Sequence, residues 1–540
     1  MPEVARNVMQ ERLVTLGEAA AWASAYMDKT ITRSNISYLL QYGKVRKHTD
    51  TAAGGVRVDL DELAAYYEEN RAREIAWREK LGDDLNWDLS FDRCTESETT
   101  KHVHRLHPYK GKFIPQLVEY FLDDRTDAFK TGVFFRKDDT VLDPFMGSGT
   151  TLIQAAEMGI HAVGIDISGF NCMIVRAKFT HGNPARINRS LEEALAGTTA
   201  FSCRNFDDDY DRQLKKKLAQ FNKAHFPSPG FKRSVHGKPE EERAYGEEML
   251  ERFFRENASF FAKNETRDDA RLIDEDGMAV FLAEWFNPRI RQEMACYLRL
   301  IDEVPDEDTR TLMRIVLSRT ARACRATTHY DLGTLKERQV GPYYCYKHKK
   351  LCTPVGSILR HLRKNTRDTL DRLEAFAALR QEVEVAVLHG DSRTIGIPDA
   401  VRAENPDFAA RIAKKRIDGV FTSPPYVGQI DYHEQHAYAY ELFGIRRRDA
   451  EEIGALSSGT GSAARQQYVD GVGRVLSNVS RYVRDDGNFF VVANDRFNLY
   501  PAIATESGLA IVNEYRRPVL NRTERDRRPY AETIFHMVKE

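Results

Sequence analysis

The stretch VLDPFMGSGTT, residues 141–151, joins a strand-like apolar run to a glycine-containing turn and the start of a helix. DTVLDPF at 139–145 predicts a buried strand, and TTLIQAAEMG at 150–159 predicts a helix that ends at a glycine cap. HAVGIDIS at 161–168 predicts a second strand. Strand, turn, helix and strand in this order are typical of a parallel sheet covered by helices.

The turn after the first strand is predicted to bind a ligand. Ligands of such sheets bind outside the carboxyl ends of the strands. Gly147 and Gly149 allow the backbone to bend sharply and to approach a ligand, and the helix starting near Thr150 offers free N–H groups to a carboxylate. Asp143 is a candidate for holding an ammonium group, directly or through water. Asp166 ends the second strand, where acids accept ribose hydroxyls in other nucleotide-binding sheets.

Strands and helices alternate up to about residue 180 and again from about residue 383. The later strand-like runs are VEVAVLHGDS (383–392), RIDGVFTSPPY (416–426), GNFFVVAND (487–495), LAIVNEYRR (509–517) and AETIFHMVKE (531–540). The stretch between the two parts is mainly helical in pattern. We therefore predict one α/β domain in two halves, 101–180 and 383–540, split by a helical insertion at 181–382.

A second motif, Ser423-Pro424-Pro425-Tyr426, follows the strand-like run IDGVFT. Two consecutive prolines fix the backbone and remove two N–H donors. The preceding residues are pushed towards extended conformations. The motif therefore predicts a stiff loop at a strand end that presents carbonyl oxygens and a serine hydroxyl as hydrogen-bond acceptors.

Both motifs resemble those of a known enzyme family. The string D-P-F-x-G-S-G-T-T is similar to the S-adenosylmethionine loop of the amino-methylating DNA methyltransferases. The Ser-Pro-Pro-Tyr motif resembles the signature of the same family, whose first residue is Asp, Asn or Ser. Ser is typical of cytosine-N4 enzymes, whereas Asp dominates among adenine-N6 enzymes. The resemblance implies a Rossmann-like class I methyltransferase sheet, with the target recognition domain inserted between its two halves.

The chemistry of amino methylation fits a loop of acceptors. An exocyclic amino nitrogen is a poor nucleophile because its lone pair is delocalised into the base. Acceptors on its two hydrogens, for which Ser423 Oγ and the Pro424 carbonyl are candidates, free that lone pair. Tyr426 offers a flat face on which a flipped base can stack. Transfer of a methyl group from a sulfonium needs neither a metal nor a covalent enzyme intermediate.

The resemblance also supplies the remaining cofactor contacts. The segment HPYKGKFIP, 107–115, is similar to the Y-x-x-K-F-x-P segment that closes over the methionine end of the cofactor. The third strand ends at the position where the family contacts the adenine. The predicted cofactor-binding residues are Tyr109, Lys112, Phe113, Pro115, Asp143, Pro144, Phe145, Gly147, Ser148, Gly149, Thr150, Asp166 and Asp391.

Two further segments have open interpretations. The aromatic stretch YHEQHAYAYELFG, 432–444, either lines the target-base pocket with His433 and His436 or supplies helix-packing groups. NRTERDRRPYAETIFHMVK, 521–539, resembles the family's closing hairpin, whose loop approaches the target strand.

Residues 1–75 predict a small winged helix-turn-helix that resembles the excisionase and MerR-like DNA-binding modules. The order is helix, helix, hairpin-like wing and helix, followed by a linker at 76–100. In this interpretation Arg33, Ser34 and Asn35 begin the recognition helix that enters the major groove. A small dimerisation or packing unit would give a similar pattern.

The formal net charge of −1 does not favour nucleic-acid binding, but positive charge is concentrated locally. Lys and Arg clearly outnumber Asp and Glu between Arg319 and Arg372. This segment is either a solvated helical face or a surface that contacts phosphates. The predicted phosphate contacts are Lys347, Lys349, Lys350, Arg363 and Lys364.

Seven scattered cysteines predict free thiols in a reducing cytosol. Cys345, His348 and Cys352 do not follow a standard zinc spacing, and a fourth ligand would have to come from elsewhere, such as Cys324. We therefore expect no metal and favour a phosphate-contacting loop for YKHKK. The sequence contains neither an apolar run long enough to cross a membrane nor a signal-peptide core, which predicts a cytoplasmic, nucleoid-associated protein.

Together these features predict an S-adenosylmethionine-dependent methyltransferase that flips and methylates cytosine N4 at specific sites in double-stranded DNA. A bacterial or archaeal restriction–modification, phage-defence or regulatory role is expected, with a cognate restriction endonuclease or defence-system proteins as possible partners. Three alternatives stay open: adenine-N6 methylation, RNA guanine-N2 methylation, and a catalytically inactive DNA-binding regulator. The helix-turn-helix and the basic insertion favour DNA, and the intact Gly147, Gly149 and Ser423–Tyr426 motifs favour activity.

Overall fold

The structure is a computed structural model that describes residues 13–49, 55–82, 85–264, 280–332, 334–519 and 530–540. Its strands in chain order are β1 (Leu13–Thr15), β2 (Lys47–Thr49), β3 (Val56–Asp59), β4 (Thr140–Asp143), β5 (His161–Asp166), β6 (Tyr343–Cys345), β7 (Lys350–Cys352), β8 (Val385–His389), β9 (Ile417–Thr422), β10 (Val483–Ala493), β11 (Leu509–Pro518) and β12 (Ala531–Lys539). Two predicted features, the wing tip around Ala53 and the loop of the closing hairpin at 520–529, lie outside the described residues.

The helices are α1 (Leu16–Met27), α2 (Arg33–Gln41), α3 (Leu60–Leu81), α4 (Glu96–Thr99), α5 (Pro115–Leu122), α6 (Thr150–Glu157), α7 (Gly169–Lys178), α8 (Pro184–Asn205), α9 (Asp209–His225), α10 (Gly230–Ser234), α11 (Pro239–Glu256), α12 (Ala258–Asn264), α13 (Val280–Trp285), α14 (Pro288–Asp302), α15 (Glu307–Ala323), α16 (Leu359–Ala377), α17 (Ile397–Glu404), α18 (Pro406–Lys415), α19 (Tyr432–Gln435), α20 (Ala437–Phe443), α21 (Ser462–Ser480) and α22 (Tyr500–Ser507). Short 3-10 turns occupy Trp87–Ser90, His102–Arg105, Asp449–Glu451 and Leu456–Ser458. Among these helices none is both long and apolar enough to cross a membrane.

A seven-stranded sheet in the order β11-β12-β10-β9-β4-β5-β8 forms the centre of the molecule. The strands from β10 to β8 pair in parallel, and β12 runs antiparallel between β10 and β11. The prediction of a mainly parallel α/β sheet is confirmed. The parallel strands are buried on both faces, which explains why they form continuous apolar runs in the sequence.

The sheet is assembled from both ends of the chain. β5 pairs with β8, from Ala162 opposite Val385 to Asp166 opposite His389, although residues 167–384 lie between the two strands. Where the structure describes this interval, it contains helices and one hairpin, β6–β7. Several of its helices bury apolar side chains in one cluster with Phe170 and Ile174 of α7, which covers the sheet. The helical interval thus forms part of the core.

β4 lies at the point where the order of strands reverses. β5 follows it on one side, and β9, which comes much later in the chain, lies on the other. A crevice opens at such a reversal, outside the carboxyl ends of the strands. The loops after β4 and β9 border this crevice, and a hydrogen bond of 3.2 Å from Thr151 Oγ1 to the Phe421 carbonyl joins their elements.

The N-terminal elements form a separate cluster. β1, β3 and β2 make a three-stranded antiparallel sheet that packs with α1, α2 and α3 around a small apolar core. Side chains of Thr15 and Thr32 cap α1 and α2, each within a reciprocal capping box. α3 runs to Leu81, beyond the predicted boundary at residue 75. Within the predicted linker, Asn86 N donates a hydrogen bond to the Arg516 carbonyl of β11.

Candidate active site

A cavity opens at the carboxyl ends of the parallel strands, and we call it the strand-end cavity. The loops after β4, β5, β8 and β9 all contribute to its wall. The predicted site residues that line it are Tyr109, Lys112, Phe113, Pro144, Phe145, Gly147, Ser148, Thr150, Asp166, Asp391, Ser423 and Pro425. The glycine loop and the Ser-Pro-Pro-Tyr loop therefore meet at one site. Asp143, Pro115, Gly149, Pro424 and Tyr426 are not among the residues that line the cavity.

The glycine loop has the backbone that glycine favours. Gly147 has a φ of +50° and Gly149 a φ of +74°, in the left-handed region that other residues avoid. A β-carbon at 147 would lie 3.0 Å from the hydroxyl oxygen of Tyr109, and one at 149 would lie 2.8 Å from Val175. Lys178 of α7 is fully buried, and its Nζ donates a hydrogen bond to the Ser148 carbonyl, which anchors the loop to this helix.

Asp166 organises this loop from the end of β5. Its carboxylate accepts hydrogen bonds of 2.8 Å from both Gly147 N and Ser168 N, and one of 3.1 Å from Asn171 Nδ2. Burial raises its pKa to about 6, against the opposing effect of these donors. These three donors leave part of the acceptor capacity of the cavity-lining carboxylate for the hydroxyl groups of a ligand.

Asp143 has a different environment from the one expected for an ammonium-binding residue. It is only 1% exposed, and its Oδ1 accepts hydrogen bonds from Thr422 Oγ1 at 2.6 Å and from Phe145 N at 3.1 Å. Burial raises its pKa to about 6. The side chain therefore lies beneath the loops and connects β4 to β9.

Orphaned polar atoms in the cavity wall indicate that the site is built for a polar ligand. Ser148 Oγ, Asn171 Oδ1 and His433 Nε2 are buried, line the cavity and have no hydrogen-bond partner within the part of the chain that the structure describes. Buried polar groups without partners are costly unless a ligand or water satisfies them. Together with the glycine loop and Asp166, they fit a nucleoside that also carries charged groups, such as S-adenosylmethionine.

The segment at 107–115 forms another wall. The ring of Tyr109 stacks between Tyr432 and His436, with centroids 6.0 and 5.8 Å away. Lys112 Nζ donates to the His104 carbonyl at 2.5 Å, and burial lowers the pKa of Lys112 to about 8. Pro115 begins α5 and packs in the interior, so its part is to start the helix.

The Ser-Pro-Pro-Tyr loop presents its serine to the cavity. Ser423 Oγ donates a 3.0 Å hydrogen bond to the Val492 carbonyl of β10. Because the hydroxyl proton is engaged there, the oxygen lone pairs are left to accept from a ligand. The hydroxyl of Tyr426 donates at 3.0 Å to Glu532, which also pairs with Arg517. The ring of Tyr426 therefore lies beside β12 rather than in the cavity wall.

Asp391 lines the cavity at the end of β8 and forms an ion pair with Arg393, with an Nη2–Oδ2 distance of 2.9 Å. Burial opposes ionisation of Asp391, but the hydrogen bonds from Arg393 outweigh it and lower the pKa of this carboxyl. The residue is therefore charged at neutral pH.

Sequence reasoning missed an acidic wall of the cavity. Glu451, Glu452 and Ile453 line it, and Glu452 accepts from the His433 backbone N at 2.7 Å and from the His433 imidazole. Glu451 ends a 3-10 turn and the other two residues directly follow it, in a segment that has neither a motif nor apolar periodicity. His433 itself lines the cavity, whereas His436 is buried behind Tyr109.

The predicted DNA-contacting residues lie on three separate elements. Arg33, Ser34 and Asn35 are exposed at the start of α2, and the Asn35 side chain caps that helix. Lys347 and Lys350 are exposed in the β6–β7 hairpin, whereas Lys349 pairs with the buried Glu242. Two further exposed cations lie on α16: Arg363 and Lys364.

A parallel sheet whose strand-end cavity joins a glycine loop to a Ser-Pro-Pro-Tyr loop defines a methyltransferase of the S-adenosylmethionine-dependent class. A family model described as DNA methylase, of the N6/N4 type, matches residues 22–176. The chain is 45% identical over 536 residues to Type II methyltransferase M.MjaII of Methanocaldococcus jannaschii, covering 98% of each chain. It therefore belongs to the family of DNA amino-methyltransferases, whose members use S-adenosylmethionine as the methyl donor.

Two other relatives match short parts of the chain. Type II methyltransferase M.MvaI of Kocuria varians is 30% identical over 115 residues, 21% of this chain and 24% of its own. Type II methyltransferase M.BsoBI of Geobacillus stearothermophilus is 35% identical over 72 residues, 13% of each chain. No solved structure matches.

Proposed function

We propose that this chain methylates cytosine N4 at a specific sequence of double-stranded DNA, as the modification enzyme of a restriction–modification or phage-defence system. The observation that carries the base assignment is Ser423, whose hydroxyl lines the strand-end cavity with its proton donated to Val492. The relatives that are named Type II methyltransferases support a modification role. A cognate endonuclease is the partner that this role implies.

In the proposed mechanism the loop at 423–426 activates the amine. Ser423 Oγ and the Pro424 carbonyl accept hydrogen bonds from the two amino hydrogens, which frees the nitrogen lone pair to bond to the methyl carbon. One of these two protons then leaves the methylated nitrogen for solvent. Bound S-adenosylmethionine supplies a methyl group on a sulfonium sulfur, a good leaving group. The protein keeps the amine in line with that methyl group. Such alignment of reacting atoms lowers the activation free energy of a transfer by several kcal/mol, up to about 7–11.

The residues around the glycine loop are proposed to hold the donor. Asp166 accepts the ribose hydroxyls, and Asp391 contacts the adenine end. Tyr109 and Phe113 cover the methionine end, beside the orphaned hydroxyl of Ser148. Asp143 positions the two loops relative to each other, since its carboxylate accepts a hydrogen bond from Thr422.

The remaining parts are proposed to bind DNA. Residues 1–75 act as a winged helix-turn-helix, with α2 as the recognition helix. The interval 181–382 serves as the target recognition domain between the two catalytic halves, 101–180 and 383–540. Exposed cations of the β6–β7 hairpin and of α16 contact phosphates. The target cytosine is flipped out of the duplex and stacks on the half-buried ring of Tyr426, which directly follows Pro425 of the cavity wall.

The test is analysis of nucleosides from DNA incubated with the protein and methyl-deuterated donor. We expect labelled N4-methylcytosine; label in N6-methyladenine alone would overturn the base assignment. Label in tRNA but not in DNA would move the activity to RNA. The Ser423→Ala variant should lose activity, whereas Ser477→Ala, on the exposed side of α21, should retain it.

A further inference from the structure

Four side chains with metal-binding donors meet outside the strand-end cavity. Cys345 ends β6, Cys352 ends β7, and His348 lies in the turn between these strands. His329 comes from the loop that follows α15. One donor atom from each residue lies within 4.8 Å of all the others, and we call this set the hairpin cluster.

The spacing of the donors fits a tetrahedral metal. With Zn–S bonds of about 2.3 Å and Zn–N bonds of about 2.0–2.1 Å, tetrahedral ligands place sulfur and nitrogen about 3.6 Å apart. Cys352 Sγ lies 3.5 Å from His348 Nδ1, and Cys345 Sγ lies 3.9 Å from His329 Nδ1. Both cysteines are free thiols. These two sulfur–nitrogen distances are therefore close to those of a four-coordinate zinc site.

We propose that His329, Cys345, His348 and Cys352 bind one Zn²⁺ in a structural Cys₂His₂ site. Two thiolates and two imidazoles are a ligand set that zinc prefers, and four protein ligands leave no open position for catalysis. None of the four residues lines the strand-end cavity. The site is thus separate from the methyl-transfer chemistry, and it reverses our expectation of no metal.

The local structure supports this assignment. β6 and β7 have only three residues each, and a two-stranded hairpin of this size is marginally stable alone. The Tyr343 hydroxyl lies 2.7 Å from His329 Nδ1 and keeps the imidazole beside the hairpin, and an ion bound at Nδ1 would take the place of this hydrogen bond. A bound ion would fix the hairpin to the loop after α15.

The fourth ligand differs from the one that the sequence offered. Cys324 is buried in the apolar cluster that includes α14 and α15, away from the hairpin cluster. Fifteen residues separate His329 from Cys345, so the pattern is H-x15-C-x2-H-x3-C. A histidine at this distance carries no spacing signal, and only the folded loop brings it to the hairpin.

The experiment is metal analysis of the full-length chain purified without chelators or added metal. We expect one zinc per chain, a marked loss of zinc in Cys345→Ser and Cys352→Ser, and full zinc in Cys203→Ser, an exposed cysteine of α8. Replacement of zinc by Co²⁺ should give the thiolate-to-metal charge-transfer absorption of a tetrahedral site with sulfur ligands.

If the cysteine variants fail to fold, the wild-type chain still decides the question. Chelation should lower its melting temperature, and zinc should restore it. A wild-type chain that carries only substoichiometric zinc and shows no thiolate absorption with Co²⁺ would overturn the proposal. Iron bound at full occupancy in place of zinc would overturn the choice of metal.

Discussion

The hydroxyl of Thr422 donates a hydrogen bond of 2.6 Å to Oδ1 of Asp143, and both side chains are buried. The two residues are 279 positions apart in the chain, yet each is the last residue of its strand. The glycine loop begins directly after Asp143 and the Ser-Pro-Pro-Tyr loop directly after Thr422. Together with the pairing of β4 and β9, this hydrogen bond holds the starts of the two loops that must bring a donor and an amine together.

Replacing Thr422 by valine should loosen this connection. The change keeps the shape but leaves Asp143 with one donor fewer, so we expect a loss of about 1–3 kcal/mol in the free energy of unfolding. Because misalignment affects the transfer step, kcat should fall more than the affinity for S-adenosylmethionine. Thr140→Val, at the opposite end of β4, is the matched control. Equal effects of the two variants on kcat would contradict the positioning role.

Cofactor affinity should depend on pH through Asp166. Burial raises the pKa of this carboxyl to about 6, so it is ionised at pH 8 and mostly protonated at pH 5. Protonation removes acceptor capacity towards the ribose, and the Kd for S-adenosylmethionine should therefore rise about tenfold between pH 8 and pH 5. Titration calorimetry across this range measures the effect.

The Asp166→Asn variant should bind more weakly and nearly independently of pH. If it kept the wild-type dependence, Asp143, whose pKa is also raised to about 6, would become the responsible group. The contribution of Asp166 to fold stability has the opposite sign. Its folded pKa exceeds the unfolded value, so protonation of this group stabilises the fold as pH falls through 6.

Gly147→Ala should weaken cofactor binding. The added β-carbon would lie 3.0 Å from the Tyr109 hydroxyl oxygen, and alanine at a φ of +50° is strained by about 1 kcal/mol. Gly508→Ala is the control, because its φ is +67° and a β-carbon there meets no atom within 4 Å. Both variants should be destabilised similarly, but only Gly147→Ala should raise the Kd for S-adenosylmethionine. A Kd unchanged in both would mean that the loop does not approach the ligand closely.

Tyr426→Ala should lower turnover while leaving cofactor affinity nearly unchanged. Loss of base stacking costs about 1–3 kcal/mol, which corresponds to a fall of roughly five- to 150-fold in kcat/KM for DNA. Tyr426→Phe keeps the ring and removes the hydroxyl with its hydrogen bonds to Glu532 and Ser423, so it should retain more activity than Tyr426→Ala. Equal losses of cofactor binding and of turnover in the alanine variant would show that its role is structural.

Removal of the N-terminal unit should weaken DNA binding and its salt dependence. The cut belongs after Gly82, because α3 extends to Leu81 and the chain docks on β11 from Asn86. Cofactor affinity should be unaffected. The helix-turn-helix assignment would be rejected if the truncated chain bound DNA with the affinity and the salt dependence of the full-length chain.

The sequence predicts the strands well because buried parallel strands and their turns are local patterns. DTVLDPF, HAVGIDIS and IDGVFT correspond to β4, β5 and β9, to within about two residues. The identity of the strands' neighbours is not local. The pairing of β5 with β8 follows from the sheet order, which no pattern within either segment specifies.

The candidate site was predictable where residues belong to motifs and not where they meet through the fold. Gly147 and Ser423 belong to motifs, whereas Glu452 enters the cavity wall from an irregular turn. Asp143 was correctly placed at a strand end, but its partner Thr422 depends on which strand lies beside β4. For the same reason the sequence could not bring His329 to the hairpin cluster.

β8 and β9 are synthesised long after β5 and β4, the strands with which they pair, and this order has a consequence for folding during biosynthesis. When the ribosome has produced β4 and β5, neither has its outer neighbour, and both edges of this hydrophobic pair are open until residues 385–422 emerge. Unpaired apolar edges associate with one another. Nascent chains stalled before residue 385 should therefore need a chaperone, and a ribosome-released fragment of that length should precipitate where the full chain does not.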